Sequence, residues 1–558
     1  MKKNTPQSRS IGERIGNYLK NDFKHDLLAG TVVALIALPL AIAFAVASGA
    51  RPEQGLYTSI IAGVIMGALS GSKFQISGPT GAFIVILLGV VNQFGLDGLM
   101  TAGFMAGVLL LAMGLTGLGS VIKYIPYPVT VGFTAGIGTI IFIGQIKDVL
   151  GLKFPHRPEG VIQNFQFIFD SLSHGFNLSS ALIALVTIVA FIGWKKKFKS
   201  IPPAPAALVA GLFTSLIITN LTQFFPAPPL VGNIPAGLPA LQIPDFSWAK
   251  IQMLIPSAFT IAMLGAIESL LSAVVADGMT GTKHNSNKEL ISQGVGNLIL
   301  PFFGGIPATG AIARTAANIR NGGRTQMSAI IHGVVLLIIV LLAAPLAAFI
   351  PMAALAGILV MVAVNMAEIP HFIRLLKAPK EDAFVMVLTY LLTVFVDLTV
   401  AVGLGIVMAA LLFIKRVSQL NVNRVFDESL RQTSEGSKRL HASLEDYPEI
   451  RMYELAGPLF FGAASQLESQ IEHDHGQALI LRMKHVHSID ATAVHALEMV
   501  IEKALHEKQG KVYLATLRPE VEKVLEQTGL IKKIGGKHYC PESATKAIEL
   551  AKAELKLK

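Results

Sequence analysis

Apolar runs recur along the chain from about residue 26 to residue 414, at lengths that suit membrane helices. A bilayer core of about 30 Å asks for roughly 20 helical residues. Measured against that length, a first set of seven segments lies near 26–48, 55–70, 79–92, 99–121, 128–146, 178–194 and 204–222. A second set of seven lies near 253–276, 288–302, 309–319, 327–348, 351–366, 382–397 and 399–414. The pattern predicts a polytopic α-helical membrane protein with fourteen segments.

The third segment of each set is short and starts at a Gly/Pro turn. The chain has ISGPTGAFIV at 76–85 and IPATGAI at 306–312, so TGA is repeated at Thr80 and Thr309. One such segment alone is interpreted as a kinked span, but duplication at matching places favours two half-helices. Since each set holds an odd number of segments, the halves have opposite topology. We predict a seven-plus-seven inverted repeat, with repeats at about 26–222 and 253–418.

Positive charge supports this count, because cytoplasmic loops carry an excess of Lys and Arg. With residues 1–25 as a cytoplasmic N-terminal segment, every loop predicted inside is basic. Residues 1–25 lack the apolar core of a cleavable signal peptide, so the first segment is expected to stay. The Pro-rich stretch 224–250 between the sets is predicted to be an exposed connector.

Beyond residue 418 charged residues become dense and the pattern alternates between strand and helix. Residues 419–440 are predicted to be a linker and 441–558 a small cytoplasmic α/β domain. Its predicted strands are 450–461, 477–484 and 511–517, and its predicted helices are 463–472, 491–507 and 519–526.

Composition limits the function. The 558 residues are 52% apolar and 15% charged, with a mean hydropathy of +0.58, as in a membrane protein. The net charge of +10 is spread over short loops, which argues against a nucleic-acid partner. The single cysteine, Cys540, excludes internal disulfides and is interpreted as an inert thiol. No G-x-x-x-x-G-K-[ST] motif is present, so an ATP-driven pump has no motor here. No cofactor or metal is expected, and His473 and His475 are interpreted as a solvated turn.

Two half-helices that face each other can bind an anion with their backbone. A helix N-terminus offers unpaired N–H groups and about half a positive charge. Pro79 and Pro307 suit helix starts, and Gly81 and Gly310 allow close approach of the backbone. The sequence therefore predicts an anion site at mid-membrane.

Ionisable residues within the segments are few, and each is costly there. Arg314 lies one turn into the second half-helix, where its charge would attract an anion. Glu268 lies in the middle of the segment at 253–276 and could load and release a proton during transport. The alternative is a static Glu268–Arg314 ion pair between two helices.

Several motifs resemble the SulP anion transporter family over almost the whole chain. They are LPLAIAFA at 38–45, PEQGLYTSI at 52–60, SGPTGAF at 77–83, YIPYPVTVGFTAGIG at 124–138, AMLGAIESLLSAVVADGMTGTKH at 262–284 and GGIPATGAIARTAANIR at 304–320. The resemblance implies the fourteen-segment fold with a cytoplasmic STAS domain, a homodimer, and elevator-like alternating access. It also implies a bacterial inner membrane protein, surrounded by lipid.

The expected site combines the starts of the two half-helices with the positions that the resemblance implies. The predicted anion-binding residues are Phe44, Thr80, Gly81, Ala82, Gly310, Ala311, Ile312, Ala313 and Arg314, and the predicted proton-coupling residue is Glu268. The segment around Glu268 is most similar to the four-carbon dicarboxylate branch of the family, which makes succinate-like acids the first expectation. Bicarbonate or sulfate transport, coupled to H+ or Na+, is the alternative. Na+ coupling is disfavoured because Ser272 and Ile312 replace threonines of the sodium-coupled bicarbonate branch.

The predicted STAS domain carries SIDATAVHALE at 488–498. STAS domains can receive phosphate at such a turn, which makes Thr492 a candidate acceptor. The alternative interpretation is an ordinary helix cap with Asp490 as the N-cap residue. A cytoplasmic protein partner at this domain, and a passive anion channel or sensor regulated by it, are the other hypotheses.

Overall fold

The computed structural model describes residues 11–122, 126–156, 158, 160–198, 202–220, 225–232, 234–235, 237, 239–396, 398–417, 421–424, 444, 447–457, 459, 476–506 and 510–557. The chain divides into two compact units, Met1–Val407 and Met408–Lys558.

The first half of the membrane unit begins with a short amphipathic helix and continues through the predicted segments. Its elements are α1 (Ile11–Asn21), α2 (Phe23–Ala47), α3 (Pro52–Ile61), a π-helical turn (Ala62–Met66), α4 (Gly67–Leu69), β1 (Ser77–Gly78), a 3-10 turn (Gly81–Phe83), α5 (Ile84–Leu115), α6 (Gly119–Ile122), α7 (Tyr127–Leu150), α8 (Val161–Ser173), α9 (Leu178–Lys197) and α10 (Pro203–Asn220). Within α5, Gly95 has φ 71°, so the third and fourth predicted segments are separate helices that meet at this residue.

The second half repeats the order. Its elements are α11 (Trp248–Thr280), α12 (Ser286–Ile299), a 3-10 turn (Leu300–Phe303), β2 (Thr309–Gly310), α13 (Ile312–Arg320), α14 (Met327–Ala347), α15 (Met352–Met366), α16 (Ile369–Leu376), α17 (Lys380–Phe395) and α18 (Leu398–Val417). Each of the fourteen predicted segments therefore coincides with helix. Among the described residues, 8 helices are long and apolar enough to cross a membrane.

Packing between the halves follows the symmetry of an inverted repeat. Helix α2, the first segment of one half, packs on α14, the fourth of the other, and α11 packs on α5 in the reciprocal way. Likewise α7 packs on α17, and α15 packs on α9. The first four segments of each half thus form one group, the core group, and the last three form a second, the gate group. Between α2 and α3 the backbones touch, since a methyl group on Gly55 would lie 2.0 Å from the Ala41 carbonyl oxygen.

Besides α1, the amphipathic helices α8 and α16 were not predicted from the sequence. Helix α8 follows the fifth segment of the first half, and α16 follows the fifth segment of the second. Helix α16 buries none of its residues. Their equivalent positions extend the internal repeat beyond the membrane-spanning helices.

The Pro-rich connector was expected to be exposed. Parts of its backbone instead form hydrogen bonds with the second half of the membrane unit. The backbone N–H of Val231 donates to the carbonyl of Ile350 at 2.9 Å, and that of Gln242 donates to Phe302 at 2.7 Å. Leu241 and Ile243 are nevertheless 70% and 79% exposed. Its prolines exclude regular pairing, so separate hydrogen bonds hold it, including those from the Ser179 hydroxyl to the Pro226 carbonyl and from the Thr101 hydroxyl to the Asp245 carbonyl in the first half.

The second unit contains a mixed sheet in the order β3-β4-β5-β6. Its elements are β3 (Asn421–Arg424), β4 (Ile450–Ala456), β5 (Ala478–His485), α19 (Ala491–His506), β6 (Lys511–Ala515), α20 (Pro519–Gln527), α21 (Leu530–Lys533) and α22 (Ala544–Leu555). Strands β4, β5 and β6 pair in parallel, which confirms the α/β prediction. Strand β3 pairs antiparallel with β4, so part of the predicted 419–440 linker belongs to the sheet. The predicted helix at 463–472 and the pair His473 and His475 lie outside the described residues.

Candidate functional site

The two half-helices are held together by a two-stranded antiparallel ladder. Ser77 pairs with Gly310 and Gly78 with Thr309, and the N–H of Ala311 donates to the carbonyl of Ile76 at 2.8 Å. The ladder places the residues that start the two half-helices side by side, although they are more than 200 positions apart in the sequence. The predicted juxtaposition is present.

Each half-helix begins with N–H groups that have no intrahelical acceptor. In the first, Thr80 is extended and the 3-10 turn starts at Gly81. In the second, Ala311 is extended and α13 starts at Ile312. Both starts carry the positive end of a helix dipole. Phe44, Thr80, Ala82 and Ala311 are buried, whereas Ile312 is 37% exposed, and Ala313 is exposed as well.

Gly81 lies where the core group meets the gate group. A methyl group on Gly81 would be 3.5 Å from Phe44 Cε1, 3.5 Å from Met366 Sδ and 3.7 Å from Ile141 Cδ1. Phe44 was predicted at the site, but Ile141 on α7 and Met366 on α15 were not. Their apolar side chains resemble any other residue of a membrane helix, so the sequence carried no signal for them.

Glu268 contacts the first half-helix. The Thr80 hydroxyl donates to Glu268 Oε2 at 2.8 Å. The equivalent hydroxyl of the second half, on Thr309, donates instead to the backbone carbonyl of Gly265 at 2.8 Å. Both threonines thus bond to α11, but only Thr80 bonds to a titratable group.

Arg314 contacts the turn before the first half-helix, and its predicted role in attracting the anion stays a prediction. Its side chain is 2% exposed, and Nη2 donates to the carbonyl of Pro79. Nη1 has no hydrogen-bond partner among the described residues and lies 2.5 Å from where a Cβ of Gly78 would be. The ion pairs found in the described part of the chain do not include one between Arg314 and Glu268, so the alternative of a static pair stays a prediction. Arg314 connects the two half-helices and brings its charge beneath both starts.

A buried polar network that the sequence analysis missed surrounds the ladder. Glu289 on α12 is fully buried. Its Oε2 accepts from the Ser70 hydroxyl at 2.6 Å and the Gly71 N–H at 2.8 Å, and its Oε1 accepts from the Ser269 hydroxyl at 3.1 Å and Gln293 Nε2 at 2.8 Å. Four donors satisfy this carboxylate, for which the described residues provide no ion pair.

The network continues into both strands of the ladder. Gln293 Nε2 also donates to the Ser77 hydroxyl at 2.9 Å. The Asn297 amide donates to the carbonyl of Ala308 and accepts from its N–H, both at 2.8 Å. Glu289, Gln293 and Asn297 follow one another at intervals of four, on one face of α12. This spacing of polar residues within a predicted membrane segment was the feature of the sequence that could have indicated the network.

In the second unit, Asp490 Oδ1 accepts from the Ala493 N–H at 2.8 Å, so Asp490 caps α19 as the alternative interpretation held. Thr492 is exposed on the first turn of that helix, and its modification stays a prediction. Burial raises the pKa of Cys540 to about 11, which agrees with an inert thiol. Among the described residues no group of His, Cys, Asp and Glu could hold a metal.

Comparisons with known proteins agree with the two-part organisation. The sulfate permease family matches residues 23–389, and the STAS domain matches residues 441–545. YvdB of Bacillus subtilis, which carries the name of a sulfate transporter, is 42% identical over 94% of this chain and 97% of its own. The bicarbonate transporter BicA of Picosynechococcus is 36% identical over 92% of both chains. The murine Slc26a9 anion transporter in its inward-facing state has the same fold, with a TM-score of 0.82, 20% identity, and coverage of 99% of this chain and 96% of its own.

Proposed function

The chain belongs to the sulfate permease family, whose relatives named above are transporters and not enzymes, and on that premise we propose that it is a secondary transporter of a small inorganic oxyanion, bicarbonate or sulfate. The two adjacent helix N-termini, joined by the ladder and underlain by Arg314, carry this proposal. Backbone N–H groups and one buried cation recognise charge and oxygen acceptors. A small oxyanion supplies both.

The substrate proposal departs from the first expectation. The relatives carry the names of sulfate and bicarbonate transporters, so the comparisons do not support the similarity to the dicarboxylate branch. The inorganic-anion alternative takes its place. The elevator-like movement implied by the resemblance stays a prediction.

We propose that Glu268 couples transport to H+. Its carboxyl accepts from the Thr80 hydroxyl directly before the first half-helix, so its charge state acts on the same backbone that meets the anion. Ile312, at the start of the second half-helix, has no side-chain oxygen to offer a bound Na+. Hard cations need several free oxygens, which favours H+ over Na+.

We also propose the membrane in which the protein lies, its orientation there and its partners. Relatives from Bacillus and a cyanobacterium support a bacterial plasma membrane, with the N-terminus and STAS domain in the cytoplasm by the charge of the loops. A homodimer, and a cytoplasmic protein that binds the STAS domain, complete the proposal.

Uptake into proteoliposomes tests the function. Labelled sulfate and labelled bicarbonate are supplied with an inward H+ gradient, with an inward Na+ gradient at equal pH, or with neither, and unlabelled succinate serves as competitor. We expect H+-driven accumulation of one oxyanion and no competition by succinate. Transport of succinate in preference to both oxyanions would overturn the substrate proposal, and accumulation driven by Na+ alone would overturn the coupling proposal.

Glu268→Gln separates a coupled transporter from a passive pore. The amide keeps the size of the side chain but cannot cycle a proton, so uphill accumulation should disappear while binding of the anion persists. Glu53→Gln, at another buried carboxyl of the core group, is the control. Unchanged accumulation in Glu268→Gln would remove this residue from coupling.

A further inference from the structure

A groove on the membrane surface of the gate group has no part in the proposed transport site. It lies between α9 and α10 and has a volume of about 480 Å³. Helix α9 contributes Ala190, Gly193, Trp194 and Lys197, and α10 contributes Ala206, Val209, Ala210 and Phe213. Each set follows the i, i+3, i+4, i+7 spacing of one helix face, so the groove runs along both helices.

Small residues form the floor of the groove and large apolar residues its rim. Nothing lies within 4 Å of a Cβ placed on Gly193, so the space beside it is open. Val209 and Phe213 are 57% and 66% exposed. Both helices are long and apolar enough to cross a membrane. The groove therefore offers an apolar channel to the hydrocarbon of the bilayer.

Polar chemistry is confined to one end of the groove. The run Lys195, Lys196 and Lys197 ends α9, and the charge of the loops predicts that this end is cytoplasmic. Lys195 donates to Asn365 Oδ1 at 3.1 Å, while Lys196 and Lys197 are exposed. The Trp194 indole N–H is buried without a hydrogen-bond partner among the described residues, and the Trp194 ring lies 4.6 Å from that of Phe198.

The dimensions match half of a bilayer. Phe213 is ten residues beyond the start of α10 at Pro203, which corresponds to about 15 Å along a helix. Half of a hydrocarbon core of about 30 Å is the same length. An occupant with its charged end at the lysines would thus extend to the bilayer centre.

We propose that this groove is a binding site for an anionic phospholipid of the cytoplasmic leaflet. One acyl chain lies over Gly193 and between Val209 and Phe213. The phosphate meets the ammonium groups of Lys196 and Lys197, and the Trp194 N–H donates to the headgroup or the glycerol ester. Lysines at the cytoplasmic surface attract anionic lipids, and tryptophan favours the interface, so one lipid satisfies both ends of the groove.

Lipid retention on the purified full-length chain tests the site. The protein is equilibrated in detergent with phosphatidylglycerol or phosphatidylcholine, and bound lipid is counted by native mass spectrometry. We expect preferential retention of phosphatidylglycerol, reduced about tenfold in Lys196→Gln/Lys197→Gln. Lys73→Gln/Lys283→Gln, which removes the same charge from exposed residues elsewhere, should retain the lipid as the wild type does.

A second variant blocks the apolar part. Gly193→Leu should reduce retention of phosphatidylglycerol, whereas Gly144→Leu, at a helical glycine with equally open surroundings, should not. Equal retention of the two lipids, or retention unaffected by both groove variants, would overturn the proposal. Binding of soluble glycerol phosphate in competition with the lipid would identify the ligand as a free phosphate. A loss of dimers in Gly193→Leu with lipid unchanged would assign the groove to a second copy of the chain.

Discussion

The two half-helix starts carry the same TGA sequence, at Thr80 and at Thr309, but have different surroundings. The first start is buried, begins with a 3-10 turn, and touches Glu268 through its threonine. The second start begins two residues later in its copy, exposes Ile312, and uses its threonine to bond a backbone carbonyl. Both halves thus begin a half-helix after the same sequence, but only the first half bonds its threonine to a carboxyl group.

Charge shows the same division. Arg314 belongs to the second half-helix, and the position that corresponds to it in the first is Val85. The arginine nevertheless bonds to Pro79 of the first half. Arg314 therefore joins the two half-helices, and on the proposed function its charge acts at both starts while each half supplies its own backbone N–H groups.

The largest expected effect comes from removing that cation. Arg314→Met keeps most of the side-chain volume but leaves the Pro79 carbonyl without its donor and the site without its charge. We expect uptake to fall at least about 100-fold, the scale of losing a buried charged hydrogen bond. Arg320→Met, at an exposed arginine on the last turn of the same helix, is the control. Uptake within about twofold of wild type in Arg314→Met would show that backbone alone binds the anion.

The equivalent glycines, Gly81 and Gly310, should differ in how strongly a single methyl group destabilises the protein. A methyl on Gly310 would meet Gln75 Nε2 at 1.8 Å, whereas one on Gly81 would have no neighbour closer than 3.5 Å. Gly310→Ala should therefore displace Gln75 and break the ladder, with a loss of stability of about 2 kcal/mol and of most uptake. Gly81→Ala should fold normally and slow uptake only severalfold, by narrowing the contact with Phe44. Thermal unfolding and uptake are measured for both variants. Equal losses of stability in Gly310→Ala and Gly81→Ala would contradict the predicted difference.

The sequence predicted the paired half-helices because the repeat of TGA is local and chemically distinctive. The contact of Arg314 with Pro79 was not predicted, because spacing along a helix places a residue on a turn but does not tell which neighbouring backbone group its long side chain reaches. Ile141 and Met366 were missed for a related reason. They reach Gly81 from helices distant in the chain, and only packing brings them there.

The Glu289 network could have been found and was not. Its polar residues interrupt an apolar run at intervals of four, and a buried polar face within a membrane helix requires partners. In the second unit, by contrast, strand and helix alternation was enough to predict the core strands, since their inward residues are apolar throughout. Strand β3 was missed because it lies in a segment rich in charged residues.

A matched pair of threonine variants tests the division of labour between the halves. Thr80→Val removes the donor to Glu268, and Thr309→Val removes the donor to the Gly265 carbonyl. We expect Thr80→Val to lower the anion accumulated per unit of pH gradient about tenfold, the scale of a hydrogen bond to a charged group. Thr309→Val should lose about 1 kcal/mol of stability with coupling intact. Uptake against the anion gradient, compared with uptake down that gradient, separates a loss of H+ coupling from a general loss of active protein. An equal loss of coupling in both would mean that the halves are equivalent after all.

The smallest expected effect on uptake concerns the polar network of Glu289, which holds the first strand. Glu289→Gln replaces one acceptor oxygen by an amide NH2 group. This group then faces donors whose hydrogen bonds the carboxylate oxygen accepted, so at least one buried donor is left unpaired. The cost is about 1–3 kcal/mol of stability, with uptake lowered a fewfold because Ser77, which Gln293 holds, shifts at the ladder. Asn297→Ala releases Ala308 on the other strand and is the matched variant. Since only the first strand precedes Thr80, Glu289→Gln should weaken H+ coupling more than Asn297→Ala at equal loss of thermal stability. A greater loss of H+ coupling in Asn297→Ala than in Glu289→Gln would mean that coupling depends more on the strand of the second half.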